Sequence, residues 1–235
     1  MPLDINNLLP QLDQVIDEIG LDYHAAPGLI LTEDDLKCLL YKKLTAMPGL
    51  SEPVLTQDRY IRGTPVHAEV SWYGETRTLC IKPDITIIEP EHLSILHGYV
   101  PNYGAHMKGP HRPPPERARR PTPPLPSKQF EFGGKAVIFE LKFARKGMTD
   151  AMFRLIRMDF QKMMRLFEIL DRRWEGDSVF GYMVIFNKYR EGLEGTELGD
   201  LIREHGASRR HKILYKAGRL PAPRYRADRR LRDPR

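Results

Sequence analysis

Cysteine is scarce in this chain of 235 residues: Cys38 and Cys80 are the only two, and no Cys-x-x-Cys pair exists. A disulfide framework and a thiolate zinc site are therefore not expected, and both thiols read as small, reduced core residues. Long apolar runs are missing too. No stretch reaches the roughly 18 apolar residues that a membrane-spanning helix needs. The N-terminus, MPLDINNLLPQLDQVIDEIG, has neither a basic leader nor a long apolar core. No signal peptide is expected, and the chain reads as cytoplasmic. There are no internal repeats, and no helix-turn-helix or zinc-finger reader is visible. The histidines are scattered; His97, His106 and His111 share one loop and give little metal signal.

What is present is a globular composition, 41% hydrophobic and 29% charged. The length suffices for one domain with a real core, expected over 1–217. The net charge of +6 is uneven. Residues 1–107 sum to −8, 108–128 to +5, 129–207 to zero and 208–235 to +9. Such a body with two basic, proline-rich appendages fits a polyanionic partner, or a tail that only solubilises. The stretch HRPPPERARRPTPPLP lies in an insertion over about 90–129 and includes Arg119 and Arg120, which read as candidate nucleic-acid contacts. Beyond Gly218 the tail has too few apolar residues to pack and is expected to be disordered.

Periodicity predicts the elements. Leu8, Leu12, Val15, Ile16 and Ile19 mark a first helix. TEDDLKCLLYKKL marks a second, capped by Thr32 and stopped at Met47-Pro48-Gly49. VHAEVSWYG and TRTLCIKPDITIIEP read as a β-hairpin, with Leu79, Ile81, Ile85 and Ile87 on or near one face and a disturbance at Pro83. KAVIFELKF is a third strand. TDAMFRLIRMDFQKMMRLFEILDRRW is the strongest helix, its wide apolar face including Met152, Phe153, Ile156, Phe160, Met163 and Met164. SVFGYMVIFNKY is a buried fourth strand, and a short helix covers about 197–205. The order predicts an α/β fold with a mixed central sheet and helices on both sides.

The third strand carries a puzzle. In AVIFELKF, Glu140 and Lys142 share a face with Ile138, while Val137, Phe139, Leu141 and Phe143 point the other way. Asp84 lies on the face opposite the apolar stripe of its own strand, with Lys82. Two adjacent strands thus each offer a carboxylate. Two such groups repel unless a cation sits between them. Oxygen ligands of this kind suit Mg²⁺, with Mn²⁺ as a substitute, and a neighbouring lysine can position or activate a water or steady charge on a phosphate. A plain cross-strand salt-bridge ladder is the competing reading.

"PD" at 83–84 and "ELK" at 140–142 resemble the PD-(D/E)xK, restriction-endonuclease-like nuclease superfamily, over roughly residues 30–190. The resemblance implies an αβββαβ core and Mg²⁺-dependent phosphodiester hydrolysis. It implies Asp84 and Glu140 as metal ligands and Lys142 as the catalytic lysine. The substrate would be nucleic acid, DNA before RNA, with a homodimer or an accessory protein partner left open. The wide gap between Asp84 and Glu140 departs from the family's pattern and bears on substrate access. Family members often add a glutamate from the first core helix. Glu33 shares the face of Leu36, Leu40 and Leu44, so it is a candidate; a simple N-terminal acid paired with Lys37 is the other reading. Glu69 is a second candidate, against a solvated strand face. Arg154, Arg157, Gln161 and Arg165 form a stripe that can meet a phosphate backbone or simply be solvated, and Gln161 or Lys162 could approach the site. The alternatives are a catalytically silent nuclease-fold module for nucleic-acid binding or protein assembly, and an adaptor working through its proline-rich loop.

Overall fold

The computed structural model describes residues 3–58, 61–73, 79–94, 131–171, 179–205, 208 and 210–221. Four α-helices among them are α1 (Ile5–Ala25), α2 (Glu33–Thr45), α3 (Asp150–Asp171) and α4 (Glu197–His205). Five strands form the central sheet: β1 (Val66–Ala68), β2 (Ile85–Ile88), β3 (Ala136–Ala144), β4 (Val179–Asn187) and β5 (His211–Lys216). Their spatial order follows the chain order. β1 and β2 are antiparallel, as are β2 and β3. β3, β4 and β5 run parallel. The sheet is therefore mixed, and α3 and α4 are the crossovers that parallel neighbours require.

β3 and β4 are buried along their full length because both sheet faces are covered. On one face α1 and α2 pack against Ile85, Val137, Phe139, Leu141, Tyr182 and Phe186. On the other, α3 and α4 cover Ile88, Ile138, Met183, Ile185 and Ile213. The capping box of α2, with Thr32 accepting from the Asp35 amide and Asp35 from the Thr32 amide, sets where that helix starts. It thereby sets where Glu33 stands.

Several expectations need correction. The hairpin is two separate pairings: β1 with β2, and Trp72–Tyr73 with Leu79–Ile81. The chain breaks at Glu69, a non-glycine residue at φ 56°, and again around Pro83. Hence Ile81 packs on the α3 side, Ile85 and Ile87 on the α1–α2 side, and Leu79 is exposed. Cys38 is exposed rather than a core residue, and Cys80 is half-buried. β5 is an additional strand beyond those that periodicity predicts. Past it, Leu220 bridges to Tyr189, so ordered pairing extends beyond Gly218. Arg119, Arg120, His97, His106 and His111 lie outside the described residues. No helix among the described residues is long and apolar enough to cross a membrane.

Candidate active site

Glu140 and Lys142 sit on the face of β3 turned toward α3, and each is less than a tenth exposed. The Lys142 Nζ lies 2.8 Å from Glu140 Oε1 and 3.1 Å from Asp159 Oδ2. Glu33 Oε1 is 3.8 Å away. One buried ammonium is thus ringed by three carboxylates drawn from β3, α3 and the first turn of α2. Asp159 arrives there because it lies in the buried stripe of α3, three residues after Ile156 and four before Met163, both fully buried.

Backbone amides fix two of the acids. Pairing between β2 and β3 ends at Ile85 opposite Phe139. The next amides along that edge belong to Leu141 and Phe143 and have no β2 carbonyl to meet. Asp84 Oδ2 accepts from Leu141 N at 2.8 Å, and Glu33 Oε2 accepts from Phe143 N at 3.3 Å. The carboxylates therefore complete the ladder, as buried backbone donors require. Asp84 stands just before the first paired residue of β2, and its bond to the Leu141 amide brings its carboxylate to the residue next to Glu140.

A second lysine stands behind Asp84. Lys37 Nζ lies 3.0 Å from Glu69 Oε1, 3.1 Å from Asp34 Oδ1 and 3.9 Å from Asp84 Oδ1. Lys82 also pairs with Glu69. Of the two readings open for Glu33, a site residue or an N-terminal acid paired with Lys37, its carboxylate faces Lys142.

The charges are unevenly satisfied. Burial pushes Glu140 up to about 7; Lys142 opposes this, and Asp84 and Asp159 add to it. Burial also raises Asp84, against the Leu141 amide and Lys142, and raises Glu33, against Lys142. Lys142 loses water on burial, but Glu140, Glu33 and Asp159 outweigh that and hold it above the ordinary lysine value. Asp159 is lowered: burial works against ionisation, and Lys162 and Lys142 prevail. Lys142 faces three acids at once, whereas Glu140 and Glu33 share that one ammonium, so the lysine gains more from this pocket than they do.

The expected trio of Asp84, Glu140 and Lys142 comes together, and Glu33 joins it. Glu69 lies outside, half-exposed between Lys37 and Lys82, whose hydrogen bonds hold its carboxyl at about 2. Arg157, Gln161 and Arg165 line a groove of about 730 Å³ between α3 and α4, facing Glu197, Asp200 and Glu204. Arg154 is exposed and donates to the Asp150 carbonyl. The stripe therefore points away from Lys142. Of the polar residues on α3, Asp159 reaches the site, whereas Lys162 reaches only Asp159 and Gln161 is exposed. The sequence carried a signal for Asp159, an acid interrupting an apolar stripe at helical spacing. For the contacts of Lys37 with Glu69 and Asp84 there was none, because those partners come from distant segments.

Asp84 and Glu140 offer hard oxygen donors and an excess of negative charge, the chemistry that suits Mg²⁺. Two carboxylates suffice when water and substrate phosphate complete the shell. Among the described residues no group of three or more His, Cys, Asp or Glu side chains is arranged to hold a metal ion. The chain matches no protein-family model, no curated protein and no solved structure.

Proposed function

We propose that the protein is a metal-dependent nuclease acting on phosphodiester bonds, with DNA as the expected substrate. One observation carries the reading: a buried lysine held between Glu140 and Asp159 at the strand end where Asp84 and Glu33 are anchored by β3 amides. Burying Lys142 and Glu140 beside the part-buried Asp84 and Asp159 is costly, and the desolvation is hard to account for as stabilisation alone. The αβββαβ order running from α2 to β4 supports a restriction-endonuclease-like core.

Asp84 and Glu140 would hold Mg²⁺ or Mn²⁺. When bound, such an ion lowers the pKa of a coordinated water and offsets charge on the phosphoryl group. The protein's own groups do the rest. Lys142 keeps its proton at neutral pH, so it serves as a hydrogen-bond donor and positive charge toward the phosphate rather than as a general base. Asp159 holds the Lys142 ammonium in place if Glu140 turns toward a cation. Glu33 bounds the site on the α2 side.

The test is a cleavage panel on plasmid, single-stranded and duplex oligonucleotides with Mg²⁺, Mn²⁺ or EDTA, run beside Asp84→Asn. Cleavage should need the divalent ion and fall by two orders of magnitude or more in Asp84→Asn, of the size expected when a key charge-stabilising group is lost. Metal-independent cleavage, or full activity in Asp84→Asn, would exclude the reading. A catalytically silent binding module is the second reading. Nucleic-acid binding with no cleavage under any metal would select it.

A further inference from the structure

The turn after β3 is built more firmly than an exposed loop requires. Arg145 and Lys146 are exposed, but the turn around them is locked. Gly147 adopts φ +83°, and its amide donates to the Ala144 carbonyl. Glu191 Oε2 accepts from the Met148 amide at 2.9 Å and from Asn187 Nδ2 at 2.7 Å. Asn187 is fully buried, and its Nδ2 is also 2.9 Å from Tyr215 Oη. Buried Asn187 with part-buried Glu191 and Tyr215 therefore fixes the turn that carries two basic residues at the end of the strand of Lys142.

Those side chains edge a groove of about 380 Å³ that runs from Glu33 to the start of α3. Phe143, Met152, Leu31 and Leu155 line it, and the two leucines are 62% and 50% exposed. The groove joins an apolar floor to a basic rim and opens beside the candidate site through Glu33. Duplex backbone offers phosphates but keeps its base faces stacked inside. An unpaired nucleotide offers both, with its phosphate for the rim and its base or sugar face for the floor.

We infer that this groove is the subsite for an unpaired nucleotide of a DNA strand next to the scissile phosphate, so that the preferred substrate is single-stranded or locally unpaired DNA. This rests on the nuclease reading for the scissile phosphate, while the groove itself can be tested without chemistry.

The experiment measures anisotropy of a labelled single-stranded DNA oligonucleotide, its duplex, and single-stranded RNA of the same sequence. It uses the full chain in EDTA across a salt series. The single strand should bind about tenfold tighter than the duplex, the scale of one good base contact. Arg145→Ala/Lys146→Ala should flatten the log–log salt slope by about 1.4, two phosphate charges on a single strand. Leu155→Ser should bring single-strand affinity down toward the duplex value and leave the slope unchanged. All three positions are exposed or at the rim, so the core is not disturbed. Equal affinity for single strand and duplex, an unchanged slope in the double variant, or tighter binding of RNA than DNA each overturns the inference. The same samples with Mg²⁺ separate the two proposals. Single-strand preference without cleavage sinks the nuclease reading and leaves the subsite standing. Cleavage of both substrates alike, indifferent to Leu155→Ser, does the reverse.

Discussion

Lys142 is the buried ammonium between Glu140 of β3 and Asp159 of α3, and its removal should carry a structural cost. From sequence, Lys142→Ala looks harmless to folding. Its burial against Glu140 and Asp159 says otherwise. Truncation strands two carboxylates, and breaking such a pair costs about 3–5 kcal/mol. Urea unfolding should show Lys142→Ala destabilised on this scale, while Lys142→Met/Glu140→Leu, which removes both charges, should regain most of it. A double variant no more stable than Lys142→Ala would show that the pair is not what the pocket misses. Glu140 makes a separate prediction. Its folded value of about 7 lies above the ordinary 4.5, so the folded state binds its proton more tightly than the unfolded state. The stability this confers is present below about pH 4.5 and is lost as pH rises through about 7. Without metal, the wild type should lose stability relative to Glu140→Gln across that window. Parallel stability–pH curves for the two proteins would refute the assignment.

The elements that present the site are themselves held at their ends. Thr32 caps α2 and closes a capping box with Asp35, immediately before Glu33. Thr32→Ala should lower stability by about 1 kcal/mol in chemical denaturation. It should also weaken the site, because the first turn of α2 positions the Glu33 carboxylate at the Phe143 amide. At the far end of β3, a Cβ on Gly147 would meet Glu191 Oε1 at 2.6 Å, on a backbone at φ +83° that disfavours any side chain. Gly147→Ala should cost about 1–3 kcal/mol by thermal unfolding, and a neutral result would mean that the turn is not locked. The sequence showed these ends unequally. Thr32, Glu33 and Asp35 announce a helix start in three letters. The clamp on Gly147 is built by Glu191, Asn187 and Tyr215, which stand 44, 40 and 68 residues away, and no local pattern relates them.

At the scale of the whole molecule, charge is divided between an acidic N-terminal part and a basic C-terminal end. Leu220 pairs with Tyr189, and Arg219 Nε lies 3.3 Å from His24 Nδ1, so a cut that spares the fold should fall after Pro221 rather than after Gly218. Removing 222–235 takes away six arginines and two aspartates. If the arginines meet phosphates, nucleic-acid affinity should fall and its salt dependence flatten, with cleavage at saturating substrate retained. Affinity measured across a salt series for the full and shortened chains decides this. Equal slopes would assign the segment to solubility or to another partner.

Much of the architecture follows from the sequence alone, because burial repeats with the period of the backbone. The 3.6-residue stripes of α1, α2 and α3 and the apolar runs of β3 and β4 are local facts, and the two faces of β3 follow from strict alternation. Asp84, Glu140 and Lys142 could be singled out for the same reason: a charge inside an apolar run contradicts its surroundings wherever the chain folds. Tertiary structure decided what local pattern cannot encode. It split the expected hairpin at Glu69, whose left-handed backbone no periodicity reveals. It added β5, whose six residues are too short and too mixed to stand out until β4 supplies their hydrogen bonds. It set Arg157 and Arg165 along the groove between α3 and α4 and brought Asp159 to Lys142. Each of these depends on which surfaces meet, and that is set by packing between segments distant in the chain.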